Sequence, residues 1–167
     1  MIANYPSEAQ KFHDLLEKFG TAMLVTHSSQ GELRARPMAI AKIDEDCSVW
    51  FLSLHESGKV HEIETAPNVA VTCQKDRDIY LSLSGTAVLS RDRAKIEELW
   101  DESYKVWFPK GKDDPDLVLI GVEPHEGEYW DQEGTNKLQY LFQAAKAYAT
   151  GTRPKIEEGE QHGKTRL

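Results

Sequence analysis

Short β-type segments follow one another between Ala22 and Leu89, and their order restricts the possible folds. The segments rich in β-branched and aromatic residues, each bounded by turn-forming residues, are 22–28, 33–43, 49–54, 69–74 and 79–89. Only one short helix, predicted at 59–65, interrupts them. Because strands and helices do not alternate here as they do in βαβ units, the pattern favours a mostly antiparallel sheet that closes into a barrel.

Helices are predicted at the periphery of these strands. Ser7 and Gln10 have the spacing of a capping box, and apolar residues then recur at helical spacing up to Phe19. Asp92 can cap another helix that reaches about Trp107. The other predicted elements are strands at 117–122 and 128–131 and a helix at 138–150. The fold class predicted is therefore mainly β, with peripheral α-helices.

Length and charge restrict the classes of function. A chain of 167 residues fits one domain, predicted at 1–150, and the polar segment 151–167 is predicted to be a disordered tail. The net charge of -8 offers no broad basic surface, so we expect no nucleic-acid partner. The sequence has neither a signal-peptide pattern at its start nor a stretch of about 20 apolar residues, so we expect a cytoplasmic protein with no membrane partner.

Several common site chemistries do not fit the residue spacing. Cys47 and Cys73 lie far apart in apolar, strand-like segments, which predicts two buried thiols and not a disulfide or a zinc site. The histidines do not have metal-ligand spacing, and there is no Gly-x-Ser-x-Gly motif. We therefore expect no metal ion and neither metal-dependent hydrolysis nor acyl transfer.

A first candidate anion site lies in the second predicted strand. Alternation places Arg34, Arg36 and Met38 on one face, and two guanidinium groups on one face can hold a phosphate. Taken alone, these arginines are better explained as solvating the outer face of an antiparallel sheet.

A second basic element is Ser57-Gly58-Lys59, which precedes the short helix. A hydroxyl, a glycine backbone and an ammonium group at a helix N-terminus are suited to bind an anion. The alternative is an ordinary helix cap with Lys59 in water, and the full P-loop motif is missing.

Aromatic residues form a third element. Tyr129 and Trp130, followed by Lys137 and Gln139, offer aromatic surface on which a planar ligand can stack. Read in isolation, aromatic residues of this kind more often belong to the core.

Taken together, these elements resemble the pyridoxamine 5′-phosphate oxidase-like flavin-binding split barrels, and most closely their general-stress-protein branch. The resemblance extends from about Phe12 to Gln139. The motifs that carry it are Arg36-Pro37-Met38, Phe51-Leu52-Ser53, Ser57-Gly58-Lys59, Gly85, Trp107-Phe108-Pro109 and Glu128-Tyr129-Trp130.

This resemblance implies a dimeric split β-barrel that binds FMN at the subunit interface of a homodimer. The residues to which it assigns the cofactor are Arg36, Pro37, Met38, Phe51, Leu52, Ser53, Ser57, Gly58, Lys59 and Trp130. Arg36 and Lys59, helped by Ser57, would bind the phosphate, and Trp130 would reach the flavin of the partner subunit. If Arg36 and Lys59 point to opposite sides of the molecule, this hypothesis fails.

The departures from the family's oxidases bear on the substrate. Gly58 stands where these oxidases typically have arginine, and Lys137 and Gln139 stand where they have an Arg-x-His pair that engages the substrate phosphate. We therefore expect a flavin-dependent oxidoreductase that passes electrons between a small-molecule donor, such as a nicotinamide, and a small acceptor. The alternatives are a protein that stores or senses flavin and, in a third class, a structural barrel without a cofactor.

Overall fold

Eight strands form one antiparallel sheet in the computed structural model, which describes residues 7–154 and 161–167. The strands are β1 (Thr21–His27), β2 (Leu33–Ala39), β3 (Lys42–Ile43), β4 (Val49–Leu54), β5 (Asn68–Lys75), β6 (Ile79–Ser90), β7 (Leu117–Asp131) and β8 (His162–Arg166). The helices are α1 (Glu8–Leu16), α2 (Gly58–Thr65), α3 (Arg93–Leu99), a 3₁₀ helix (Glu102–Val106) and α4 (Thr135–Thr150). Among these helices of the described chain, none combines the length and the apolar character needed to cross a bilayer.

The sheet closes on itself through a very short connection. Its strand order is β2-β1-β5-β6-β7-β4-β3, so β2 and β3 stand at opposite ends although only Ile40 and Ala41 separate them. The N–H of Ile40 donates to the carbonyl of Gly20, and the N–H of Ala41 donates to the carbonyl of Trp50 in β4. Since such a connection spans only about 11 Å, the sheet must curl until its ends meet. The prediction of a mainly β split barrel is confirmed.

Two apolar clusters stabilise this architecture. The larger fills the barrel and includes Phe12, Leu24 and Phe51, which are 0 % exposed. The smaller packs α3 against the outside of β4 and β7. Because side chains alternate along a strand, Phe51 enters the first cluster and Leu52 the second.

The two cysteines are buried and unpaired, as the sequence predicts. Burial, with a smaller effect of the Asp46 charge, raises the pKa of the Cys47 thiol to about 11. Burial raises the pKa of the Cys73 thiol to about 12. Both thiols therefore behave as small apolar side chains at neutral pH.

Two predicted elements are broken in the structure. The single strand predicted at 33–43 divides into β2 and β3 at the crossing described above. The helix predicted at 92–107 begins at the expected cap, Asp92, but α3 ends at Leu99. The cause is Asp101, whose carboxylate accepts the N–H of Ser103 and so starts the separate 3₁₀ helix.

Conversely, the strands predicted at 117–122 and 128–131 are one strand, β7. Pro124 lies between the two predicted segments and pairs with Gly85, where the pairing of β6 and β7 shifts register. A bulge tolerates proline because it needs no ladder hydrogen bond there. Gly85 therefore stands at a β-bulge between β6 and β7.

The predicted disordered tail is wrong for residues 161–167, while 155–160 lie outside the described residues. β8 pairs with the second half of β7, with Gly163 opposite Tyr129. A Cβ at Gly163 would lie 2.1 Å from the Glu8 carboxylate and 2.5 Å from the Tyr129 ring. Glycine therefore allows β8 to dock closely, and the Tyr129 hydroxyl donates to Glu8 at 2.8 Å beneath it.

Candidate functional site

A cavity of about 460 Å³ lies where the barrel closes, between β2 and β4 and beside the start of α2 and the 3₁₀ helix. The predicted site residues that line it are Arg36, Pro37, Met38, Leu52, Ser53, Ser57 and Lys59. Arg36 and Lys59 thus face the same cavity and do not point to opposite sides of the molecule. The phosphate hypothesis is therefore compatible with the structure.

The lining divides into two chemically different parts. The cationic wall consists of Arg36, Lys59 and the hydroxyls of Ser53 and Ser57. The apolar wall consists of Leu52, Leu54, Tyr104, Trp107 and Phe108, most of which belong to the smaller apolar cluster or pack against it. The cavity is therefore suited to an elongated ligand that is anionic at one end and apolar at the other.

Ser57 is not used as an ordinary helix cap. It occupies the N-cap position of α2, but within the described chain its hydroxyl accepts no N–H of the helix. The hydroxyl instead lies 3.0 Å from that of Ser53, which is 1 % exposed. Both hydroxyls line the cavity and are placed to bind a ligand there.

Arg36 is held by a buried carboxylate that the sequence analysis did not identify. Its Nη2 donates to Glu62 Oε2 at 2.9 Å. Its Nη1 donates to the hydroxyl of Thr26, which in turn donates to Glu62. Arg34 donates to the other oxygen of Glu62 at 3.0 Å and remains 53 % exposed. Arg36 is therefore a fixed side chain of the cavity and does not solvate an outer sheet face.

The pKa shifts describe the electrostatics of this wall. Burial of Glu62 disfavours its charge, but the hydrogen bonds from Thr26 and Arg36 outweigh burial and hold the pKa of the carboxyl below its ordinary value. The pKa of Lys59 is lowered, first by burial and then by the positive charge of Arg36, with Glu62 acting in the opposite sense. An anion in the cavity would favour the charged form of Lys59.

The remaining predicted site residues lie elsewhere in the described chain. Phe51 points into the main core, because it alternates with Leu52 along β4. Gly58 is exposed at the first position of α2, with open space where a Cβ would be. Trp130 stacks on His162 of β8, with ring centroids 5.3 Å apart. Its contact with the flavin of a partner subunit stays a prediction.

The aromatic part of the apolar wall was also missed as a site. Trp107 and Phe108 belong to a motif of the family resemblance, but the sequence did not indicate that they line the cavity. Tyr104 was predicted to lie on a continuous helix that the structure does not contain. The loop that follows these aromatic residues is held by Arg93, whose guanidinium donates to the carbonyls of Lys112 and Asp114. Those loop contacts join residues far apart in sequence, so no local pattern indicates them.

Lys137 and Gln139 lie on α4 and are engaged there. Lys137 Nζ donates to Asp78 at 2.9 Å, and Gln139 accepts from Gln161 at 3.4 Å. Neither is among the described residues that line the cavity.

The comparisons with known proteins agree with this architecture. Residues 7–155 match the family described as pyridoxamine 5′-phosphate oxidase like. The chain belongs to this family. The resemblance that the sequence motifs indicate is therefore confirmed.

Individual relatives place the chain near the general stress proteins of the family. It is 28 % identical to General stress protein 26 of Bacillus subtilis (strain 168) over 121 residues, which are 70 % of this chain and 84 % of that protein. A solved structure described as a general stress protein 26 from Jannaschia sp. CCS1 has a TM-score of 0.69 at 26 % identity, covering 94 % of this chain and 96 % of the other.

A further solved structure is similar in fold alone. It is described as a pyridoxamine 5′-phosphate oxidase-related, FMN binding protein from Nostoc punctiforme PCC 73102. The TM-score is 0.53 at 15 % identity, with coverage of 77 % of this chain and 82 % of the other.

The electrostatics of Lys59 predict a gain in stability on its removal. Because its pKa is lowered in the fold, the folded state binds the proton less well than the unfolded chain does. Lys59→Met should therefore raise the free energy of unfolding at pH 7. The electrostatic part of the gain should disappear as pH rises from the lowered pKa to the ordinary value of 10.5.

Urea denaturation between pH 7 and 10.5 measures this difference against the wild type. Lys75→Met, at the exposed end of β5, is the matched control for the loss of a lysine charge from the surface. If the free energy of unfolding of Lys59→Met exceeds that of the wild type by the same amount at every pH, the charge of Lys59 does not destabilise the fold, and the prediction is contradicted.

Proposed function

We propose that the protein binds FMN in the cavity between β2 and β4 and acts as an FMN-dependent oxidoreductase on a small molecule. The observation that carries the proposal is the pairing of a cationic wall with an aromatic, apolar wall in one cavity. FMN has a dianionic phosphate and a flat ring system joined by a hydroxylated chain, so the residues fit the cofactor. The fold shared with a protein described as FMN binding supports the same assignment.

The phosphate would be held by Arg36 and Lys59, with the hydroxyls of Ser53 and Ser57 beside them. A guanidinium carries five N–H donors, so Arg36 keeps donors for a phosphate after those given to Thr26 and Glu62. The N-terminus of α2 begins at the same wall and contributes backbone N–H groups and the positive end of its dipole.

The ring system would lie against Pro37, Met38 and the apolar wall. Trp107 is 61 % exposed although it lines the cavity, and a large aromatic side chain left in water is the kind of surface that a bound ring covers. Tyr104 and Phe108, whose rings pack on Trp100, also line the cavity.

When bound, FMN supplies the electron-transfer chemistry, and the protein contributes binding, orientation and exclusion of water. Lys137 lies in an ion pair with Asp78, and a lysine cannot replace the bidentate phosphate contact of an arginine. We therefore propose a reduced donor such as a nicotinamide and a small acceptor, and not pyridoxamine phosphate, as the reactants.

We also propose that the active form is a homodimer with its flavin sites at the interface. Leu138, Leu141 and Phe142 have the spacing of one face of α4 and are 70 %, 56 % and 73 % exposed. A second copy covering this face would remove a large apolar surface from water.

Analytical ultracentrifugation of the flavin-loaded protein tests this assembly. We expect twice the mass of the chain for the wild type and a shift toward the monomer for Phe142→Asp, because a buried carboxylate at the interface is costly. A flavin-loaded wild-type monomer would contradict the proposed homodimer.

The phosphate assignment predicts a selective loss of affinity. Arg36→Ala combined with Lys59→Ala should weaken FMN by about a hundredfold, because two charge-assisted contacts are lost. Riboflavin, which lacks the phosphate, should be affected little. Titration of flavin fluorescence measures both affinities. The control combines Lys75→Ala with Arg77→Ala, which removes the same charge at two exposed positions and should change neither affinity. Equal losses of FMN and riboflavin affinity in the variant that lacks Arg36 and Lys59 would exclude the phosphate assignment.

The oxidoreductase assignment predicts that the holoprotein's flavin is reduced by a donor. We expect the visible flavin absorption to bleach on anaerobic addition of NADH or NADPH and to return when an acceptor such as a quinone is added. A protein that carries stoichiometric FMN, identified by mass after release, but reacts with no common donor would instead favour the storage or sensing function.

A further inference from the structure

Glu62 is a buried acid beside the proposed phosphate site, and the proposed function gives it no role. Its side chain is 8 % exposed, on α2, in the turn that follows Lys59. On charge alone, a carboxylate at this place opposes the binding of an anion. Its position therefore needs a different explanation.

The geometry around Glu62 supplies one. Glu62, Thr26 and Arg36 form a closed triangle in which each pair is hydrogen bonded. Thr26 is 0 % exposed, and it lies on β1, whereas Arg36 is on β2 and Glu62 on α2. Residues of two other elements therefore hold both terminal nitrogens of the guanidinium.

We propose that Glu62 is a positioning residue, which fixes Arg36 in the orientation that receives the FMN phosphate. The inference rests on the proposed function and goes beyond it, since Glu62 itself lines no part of the cavity among the described residues. Glu62 acts through the arginine and not by contact with the cofactor.

Two opposing effects decide the sign of its contribution. A free arginine must lose its rotamer freedom when it binds a phosphate, which lowers the affinity by up to about tenfold. The opposing effect is repulsion between the Glu62 carboxylate and the phosphate. This repulsion is weakened because Glu62 is paired with both Arg34 and Arg36. Glu62 also favours the charged form of Lys59. Positioning therefore outweighs repulsion, and loss of the carboxylate should weaken FMN binding.

The experiment compares dissociation constants for FMN and riboflavin by fluorescence titration, so it does not depend on turnover. In Glu62→Gln, the preference for FMN over riboflavin should fall by about tenfold, with riboflavin affinity unchanged. The matched control is Glu64→Gln, which removes the same charge from the same helix at a 46 % exposed position paired with His61. The control should keep the wild-type preference.

A double-mutant cycle tests whether Glu62 acts through Arg36. In the Arg36→Ala background, Glu62→Gln should cause no further loss of preference, since the arginine it positions is gone. Thr26→Val keeps the shape of the side chain and removes only the hydroxyl, so it should produce a smaller loss of the same kind. Thermal melting shows whether Glu62→Gln folds. If it does not, the FMN preference of Thr26→Val decides whether the hydrogen-bonded triangle positions Arg36.

The outcomes separate the two proposals. A Glu62→Gln protein that folds and prefers FMN as strongly as the wild type, or more strongly, overturns the positioning role while the proposed function stands. An equal loss for FMN and riboflavin also overturns it, because that result indicates general damage to the cavity. A wild-type protein without any preference for FMN overturns the phosphate site itself and the inference with it.

Discussion

The crossing at Ile40 and Ala41 is the constraint on which the site depends. These neighbouring residues donate their N–H groups to Gly20, which directly precedes β1, and to Trp50 of β4. In the strand order, β1 lies beside β2 at one end and β4 lies beside β3 at the other. The crossing draws β2 against β4, and the cavity lies at that junction. In an open sheet of the same order, the arginine of β2 and the serines near β4 would stand at opposite edges, and neither edge alone would make a site.

The closure also explains why polar groups are tolerated so deep in the fold. Arg36 enters the junction together with partners that compensate its charge, since Glu62 and Thr26 satisfy donors that burial would otherwise leave unpaired. The same arrangement leaves Lys59 only partly compensated, as its lowered pKa indicates. A fold that holds a partly compensated cation beside a fixed guanidinium gives up stability at this position, which is typical of a binding site.

The sequence predicted what local patterns determine. The β-type segments, the Asp92 cap and most of the cavity lining follow from alternation, capping and family motifs. Glu62 was missed because its partners are 26 and 36 positions away. β8 was missed because its residues are polar and do not read as a strand. It forms because β7 extends beyond its pairing with β4, which leaves a strand edge that β8 covers.

The burial of both native cysteines has a practical consequence for studying the molecule. Cys47 and Cys73 are the two cysteines of the chain; their raised pKa values keep them protonated at neutral pH, and their burial limits the access of thiol reagents. A cysteine introduced on the exposed surface would then be the reactive one under mild conditions. Spin labels or fluorophores can be attached at the cavity rim or on α4 without first replacing either native thiol.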